Sequence, residues 1–200
     1  LVSKGEWLIL LPFFKSTDME IIEKIKTLFA VHGQQNYGED VTQQEHAMQC
    51  YLLAEEAHAS LELRVAAFLH DIGHLAYEEV EGHSKDMKHE EIGAELMLSW
   101  GFGEQVAEIV ASHVWAKRYL VSCEPYYINR LSAASLKSFQ LQGGLMSDDE
   151  VSAAKKHPYF QDALDLRRWD DTGKRTDIDT EIPLRVWTDL EECLLINRVG

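Results

Sequence analysis

Six residues of this 200-residue chain have the types and the placement to bind metal ions: His46, His70, Asp71, His89, His113 and Asp170. His70 and Asp71 close the apolar run AAFLHDIGH at residues 66–74. An apolar helix of that kind belongs in a core. An ionised aspartate at its end is costly unless it is paired or coordinates a cation. His74 follows His70 by four residues, one helical turn, with Gly73 expected to stop the helix between them. His46 lies on the preceding helical segment, His89 opens a later one, and Asp170 closes the segment from Leu164. Imidazole and carboxylate donors suit Fe, Mn or Zn and need no thiolate. A carboxylate has two oxygens, so Asp71 could bridge two ions. The three cysteines, Cys50, Cys123 and Cys193, are too far apart for a thiol-rich site and read as reduced thiols, two of them core filler.

Each residue has a plainer reading. A lone histidine such as His113, within AEIVASHVWAKRYL, is more often a hydrogen-bonded core residue than a ligand. An HD dipeptide is common by chance. The succession H, HD, H, H, D on consecutive helical segments is much harder to obtain that way. His32, His58, His83 and His157 are expected at the surface.

Two cations keep register with these donors. Lys117 lies one turn beyond His113, and Arg167 three residues before Asp170. The formal net charge is −15, which argues against non-specific nucleic-acid binding and requires any anionic substrate to be met by local positive charge. Lys117 and Arg167 beside metal ions make an oxyanion clamp.

The positioning elements are helical. Asp18 is expected to cap a helix ending at Gly33, and Thr42 with Glu45 forms a capping box for one running to about His58. Ser60 caps LELRVAAFLHDIG. Further helices are predicted over Lys88–Ser99, Phe102–Leu120 and Pro125–Leu136, from Ser147, near Pro158 to Asp170, and over Arg185–Ile196. Residues 77–86 read as a loop. The fold class is all-α, a single helical bundle of about seven to eight helices. The division expected is an N-terminal tail at 1–15, the domain at 16–172 and a C-terminal extension with a packing helix at 173–200. The apolar stretch Leu8–Phe14 is a poor signal peptide and reads as a strap, and no apolar run reaches membrane-spanning length. The expected location is the cytoplasm, with no membrane or nucleic-acid partner.

The chain resembles the HD-domain superfamily, through His46, His70-Asp71 and Asp170. Within it the sequence is similar to the mixed-valent di-iron oxygenases of the phosphonate-degrading branch. The segments that carry this are YGE at 37–39, QEHAMQ at 44–49, AAFLHDIGH at 66–74, KHEEIGAE at 88–95, HVWAKRYL at 113–120, LSAASLKSFQLQGGLMS at 131–147 and LRRWDD at 166–171. The resemblance implies two iron ions, Fe(II)/Fe(III), held by the six residues with Asp71 bridging, and O2 as co-substrate. It implies that His74, Lys117, Ser135 and Arg167 hold a phosphonate, with Asp71 and His74 at the catalytic centre, and that Glu39 faces the amine end. Asn36 stands where the branch carries a tyrosine that caps an iron, so Asn36 and the adjacent Tyr37 are the candidates for a resting-state cap. Tyr37 could also face a quaternary ammonium. The implied reaction is oxidative C–P cleavage of a 1-hydroxy-2-(trimethylammonio or amino)ethylphosphonate to glycine betaine or glycine plus phosphate, with the trimethylammonio compound favoured. The alternatives are a metal-dependent phosphohydrolase acting on a nucleotide or other phosphate ester, a non-catalytic ligand-binding module, and oxidation of another alcohol.

Overall fold

The computed structural model describes residues 16–36, 39–77, 88–178 and 181–199. The expected tail at 1–15, Tyr37, His83 and nearly all of the expected 77–86 loop lie outside the described residues. The described chain forms ten α-helices and one short 3-10 turn, with no strand among the described residues, so the all-α class holds. The helices are α1 (Ser16–His32), α2 (Gln43–Glu56), α3 (Leu61–Leu69), α4 (Ile72–Tyr77) and α5 (His89–Trp100), followed by α6 (Glu104–Cys123), α7 (Ala133–Leu141), α8 (Asp148–Ala154), α9 (Phe160–Thr172) and α10 (Leu184–Val199).

The count exceeds the expected seven to eight, and two of the expected helices are broken differently from expectation. LELRVAAFLHDIG breaks after Leu69: His70 caps α3, Asp71 sits in a turn, and α4 starts at Ile72. Gly73 is therefore not a stop signal but the second residue of α4. The Pro125–Leu136 segment is not one helix: it holds the 3-10 turn Tyr127–Arg130, and then Ser132 caps α7, which starts at Ala133, by accepting the Ser135 amide. Asp18 also differs from expectation. It lies inside the first turn of α1, where its buried carboxylate pairs with Arg198 of α10. The capping box of Thr42 and Glu45 and the Ser60 cap are present as expected.

α3 is the central element, with Val65, Ala66, Ala67, Phe68 and Leu69 essentially inaccessible. α1 covers one side with Ile22, Ile25, Leu28 and Phe29, and Phe29 stacks on Phe68 at 4.8 Å. α10 packs Val186, Leu190, Cys193 and Leu194 into the same core. Asp189 fixes its register by accepting from Tyr51 Oη of α2 at 2.9 Å and Arg64 Nε of α3 at 2.8 Å. A second cluster joins α6 to α9 through Ala116, Leu120, Ala163 and Leu164.

The close approach of α4 to α5 depends on Gly73. A Cβ there would lie 2.0 Å from the carbonyl oxygen of His89 and 3.1 Å from the amide of Gly93, both backbone atoms. Gly73→Ala is expected to force α4 and α5 apart and lower stability by about 1–3 kcal/mol, the usual cost of overpacking. A melting curve with and without added Fe(II) measures this, and the metal-dependent part of the stability should fall as well, because His89 moves with the α5 backbone.

Candidate metal and oxyanion site

The break between α3 and α4 places His70 and Asp71 at the inner end of the central helix, facing α2, α5, α6 and α9. His70 is fully buried. Its Nδ1 donates to the Ala67 carbonyl at 3.0 Å, which leaves Nε2 as a lone pair with no hydrogen-bond partner. The same arrangement recurs at His113, whose Nδ1 donates to the Val110 carbonyl at 2.6 Å, and at His46, whose Nδ1 donates to the Gly173 carbonyl at 2.9 Å. Anchoring one ring nitrogen to a carbonyl fixes the tautomer and turns the other toward a shared ligand, the habit of metal-binding imidazoles.

These lone pairs converge on Asp71. Oδ1 lies 3.6 Å from His89 Nε2 and 3.7 Å from His113 Nε2, while Oδ2 lies 3.6 Å from His70 Nε2 and 3.9 Å from His46 Nε2. Asp170 completes the second group, with Oδ1 at 3.3 Å from His46 Nε2 and Oδ2 at 3.9 Å from His70 Nε2. These separations are long for hydrogen bonds. They match donors sharing one ion: two ligands about 2.1 Å from a metal lie about 3.0 Å apart at right angles and about 4.2 Å apart when opposed. The Nε2 atoms of His89 and His113 are 2.9 Å apart, which fits adjacent positions on one ion. The donors thus divide into His89, His113 and Asp71 Oδ1 on one side, and His46, His70, Asp170 and Asp71 Oδ2 on the other. The chemistry of the set fits two intermediate or hard divalent ions.

On the His89 and His113 side the electrostatics suit coordination. Burial alone would raise the Asp71 pKa, but the imidazoles of His70, His74, His89 and His113 outweigh it and hold the carboxyl well below its usual range. Burial lowers His113 to about 4, so its ring is neutral and free to coordinate at physiological pH. Burial, with His74 and His113 nearby, also pushes His89 down. Cys50, one turn after His46, also comes close, but its sulfur lies 4.0 Å from Nδ1 and 3.9 Å from Nε2 of that ring. Equal distance from both nitrogens places it against the imidazole rather than along a lone pair, so it packs behind the site.

All the donors except the fully buried His70 line a cavity of about 150 Å³, together with Glu39, His74, Lys117, Ser135, Arg167 and Lys174. His74 stacks on His89 with ring centroids 4.0 Å apart. Lys117, on α6, is buried and donates to Ser138 Oγ at 2.8 Å. Burial and the nearby Arg167 guanidinium lower its pKa to about 8. Arg167, equally buried, meets Asp170 Oδ2 at 2.5 Å and is held in a fork by both oxygens of Asp171. Tyr127 Oη donates to the same Asp171 at 2.8 Å. The two cations are therefore unequal: Arg167 is already matched by two carboxylates, whereas the partner shown for Lys117 is a neutral hydroxyl.

Asn36 is exposed, and its carbonyl accepts the Glu39 amide at 2.7 Å. Tyr37, the other cap candidate, lies outside the described residues. The sequence reading missed Gln43, Ser138, Gln142 and Lys174, all of which line the cavity, as well as the Tyr127–Asp171 support of Arg167. The capping position of Ser132, visible in sequence, could have signalled that the first turn of α7 faces the site.

Paired imidazoles and carboxylates around a helix break in an all-α bundle define an HD-domain architecture, and the HD domain family matches residues 44–133. The hydroxymethylphosphonate dioxygenase of Gimesia maris is 41% identical over 179 residues, covering 86% of this chain and 89% of that protein. The glycine-betaine-forming [1-hydroxy-2-(trimethylamino)ethyl]phosphonate dioxygenase of Leisingera caerulea is 40% identical over 164 residues, covering 80% and 83%. An uncharacterized protein of Acanthamoeba polyphaga mimivirus is 36% identical over 163 residues, covering 78% and 74%. The chain belongs to the HD-domain phosphonate dioxygenase family.

If Asp71 serves both groups of donors, Asp71→Ala should lose both equivalents of metal, whereas His113→Ala should lose one before the other. Metal content per chain after dialysis, measured by atomic emission, distinguishes the two patterns. Equal metal loss in both variants would contradict the division.

Proposed function

We propose that this protein is an O2-dependent, non-haem di-iron oxygenase that cleaves the C–P bond of a 1-hydroxyphosphonate in organophosphonate catabolism. The observation that carries the reading is the pairing of a bridging-type carboxylate, Asp71, with a buried cation, Lys117, one helical turn from a candidate ligand. Family membership adds oxygen chemistry. The overall reaction balances as R–CH(OH)–PO3H2 + O2 → R–COOH + H3PO4. One C–P bond breaks, O2 accepts four electrons, and its two oxygen atoms end in the acid and in phosphate. With R as trimethylammoniomethyl or aminomethyl the acid is glycine betaine or glycine.

The irons, held by His46, His70, Asp71, His89, His113 and Asp170, would supply the redox chemistry when bound. The other residues hold the substrate. Lys117, Arg167, Ser135 and His74 surround the phosphonate oxygens. Arg167 keeps its direction because Asp171 and Tyr127 fix the guanidinium plane. The ring of His74 is held against His89 and faces the cavity, where it can donate a hydrogen bond to the oxyanion. A cavity of about 150 Å³ is small beside the ~300 Å³ at the low end of drug-sized pockets, which suits a compact substrate and leaves little bulk water. Residues 16–172 form the catalytic domain in this reading, with 173–200 as an extension that closes over its core. None of the described helices is long and apolar enough to cross a membrane.

Phosphate release should require oxygen, with about one O2 consumed per phosphate in an oxygen-electrode assay. Phosphate released anaerobically would favour the phosphohydrolase alternative instead. Lys117→Ala should raise KM more than Arg167→Ala, by about tenfold or more, while iron content stays unchanged, because Lys117 brings the less compensated charge to the oxyanion. Lys117 must be protonated to bind. KM should therefore rise as pH climbs through about 8, where the free side chain loses its proton, and Lys117→Met should flatten that rise.

A further inference from the structure

Glu39 is the one carboxylate among the described lining residues that lies outside the candidate metal set. One of its two oxygens, Oε1, is already engaged. Lys174 Nζ meets its Oε1 at 2.6 Å, and Ser132 Oγ donates to the same atom at 2.6 Å. Lys174 makes two further contacts, to Ser132 Oγ at 3.2 Å and to Ser135 Oγ at 3.0 Å. The ammonium thus has three oxygen partners for its three N–H donors. Both side chains are mostly sheltered, at 17% and 22% exposure, so the pair is screened less than a surface ion pair.

This arrangement bears on the part of the substrate that differs between the two named relatives. A cationic substrate group entering the cavity needs an anion to replace its hydration. Among the lining residues that anion is Glu39, and its charge is already neutralised by a tethered ammonium. A cationic tail would therefore have to displace Lys174 or lie beside it, with like charges opposed. A substrate without a cationic tail leaves the pair intact. Through Ser135, Lys174 also brings a third positive charge toward the phosphonate side, alongside Lys117 and Arg167.

We infer that Lys174 is a specificity-determining residue: by filling the ammonium-sized place at Glu39, it selects small 1-hydroxyphosphonates that carry no cationic substituent, such as hydroxymethylphosphonate, over zwitterionic ones. The inference rests on the phosphonate reading of the site and names the substrate class within it.

The test compares hydroxymethylphosphonate with [1-hydroxy-2-(trimethylammonio)ethyl]phosphonate on the iron-loaded protein, by anaerobic titration calorimetry and by aerobic phosphate release. Wild type should bind hydroxymethylphosphonate at least tenfold more tightly. Lys174→Met should shrink that ratio by tenfold or more through tighter binding of the trimethylammonio compound, and Lys174→Arg should keep the wild-type ratio. Equal or tighter binding of the trimethylammonio compound by wild type would overturn the inference, as would an unchanged ratio in Lys174→Met. If the variant does not fold, the wild-type ratio alone decides. If neither compound releases phosphate in air, the oxygenase reading fails, while the two binding constants still decide the role of Lys174.

Discussion

Asp71 is a carboxylate largely withdrawn from water into a ring of imidazoles, and the bundle is arranged around that constraint. Burial would protonate it, but four histidines keep it ionised. Those histidines come from the α3–α4 break, α4, α5 and α6, so the site is complete only when the helices are packed. At this turn each Asp71 oxygen faces a different group of imidazoles. Had α3 continued, His70 and Asp71 would point about 100° apart around one helix axis, a geometry set by 3.6 residues per turn. Gly73 permits the break by letting the first turn of α4 lie against the α5 backbone. Core packing, helix termination and metal geometry thus meet within four residues.

A second constraint is charge. The chain carries a formal −15, yet its cavity must accept an anion. In the proposed reading the cations divide by task. Arg167 is committed to Asp170 and Asp171 and holds direction more than free charge. Lys117, buried against a neutral hydroxyl, carries charge that a phosphonate can neutralise. A pKa lowered to about 8 is the cost of that arrangement, since burial disfavours the ammonium until an anion arrives.

Much of this was legible in the sequence, for identifiable reasons. His70-Asp71 stood out because an apolar helix cannot bury a carboxylate without a partner. Lys117 and Arg167 stood out because three- and four-residue spacing on a helix is geometry as well as sequence. The caps at Thr42 and Ser60 follow from local hydrogen bonding and needed no tertiary information. What was not legible depends on distant approach. The stop assigned to Gly73 rested on its helix propensity, whereas its structural role is its contact with the His89 carbonyl. Asp18 looked like a cap because its partner, Arg198, lies at the far end of the chain. Tyr127 and Lys174 sit after turns whose paths no local pattern determines, so their contacts with Asp171 and Glu39 emerge only from the fold.

The metal donors and the proposed selectivity residue differ in how tightly the fold holds them. The donors around Asp71 are constrained from every side: shifting any of them disturbs the helix packing that holds the others. Lys174 is under no such constraint. It follows the end of α9, just beyond Gly173, whose carbonyl anchors His46. Its ammonium touches Glu39 and the serines at the start of α7 but none of the candidate metal donors. A substitution there can change the charge offered to the substrate while leaving the metal geometry in place. Selectivity for the substituent is then carried by a residue adjacent in sequence to the metal site's support yet separate from it in function.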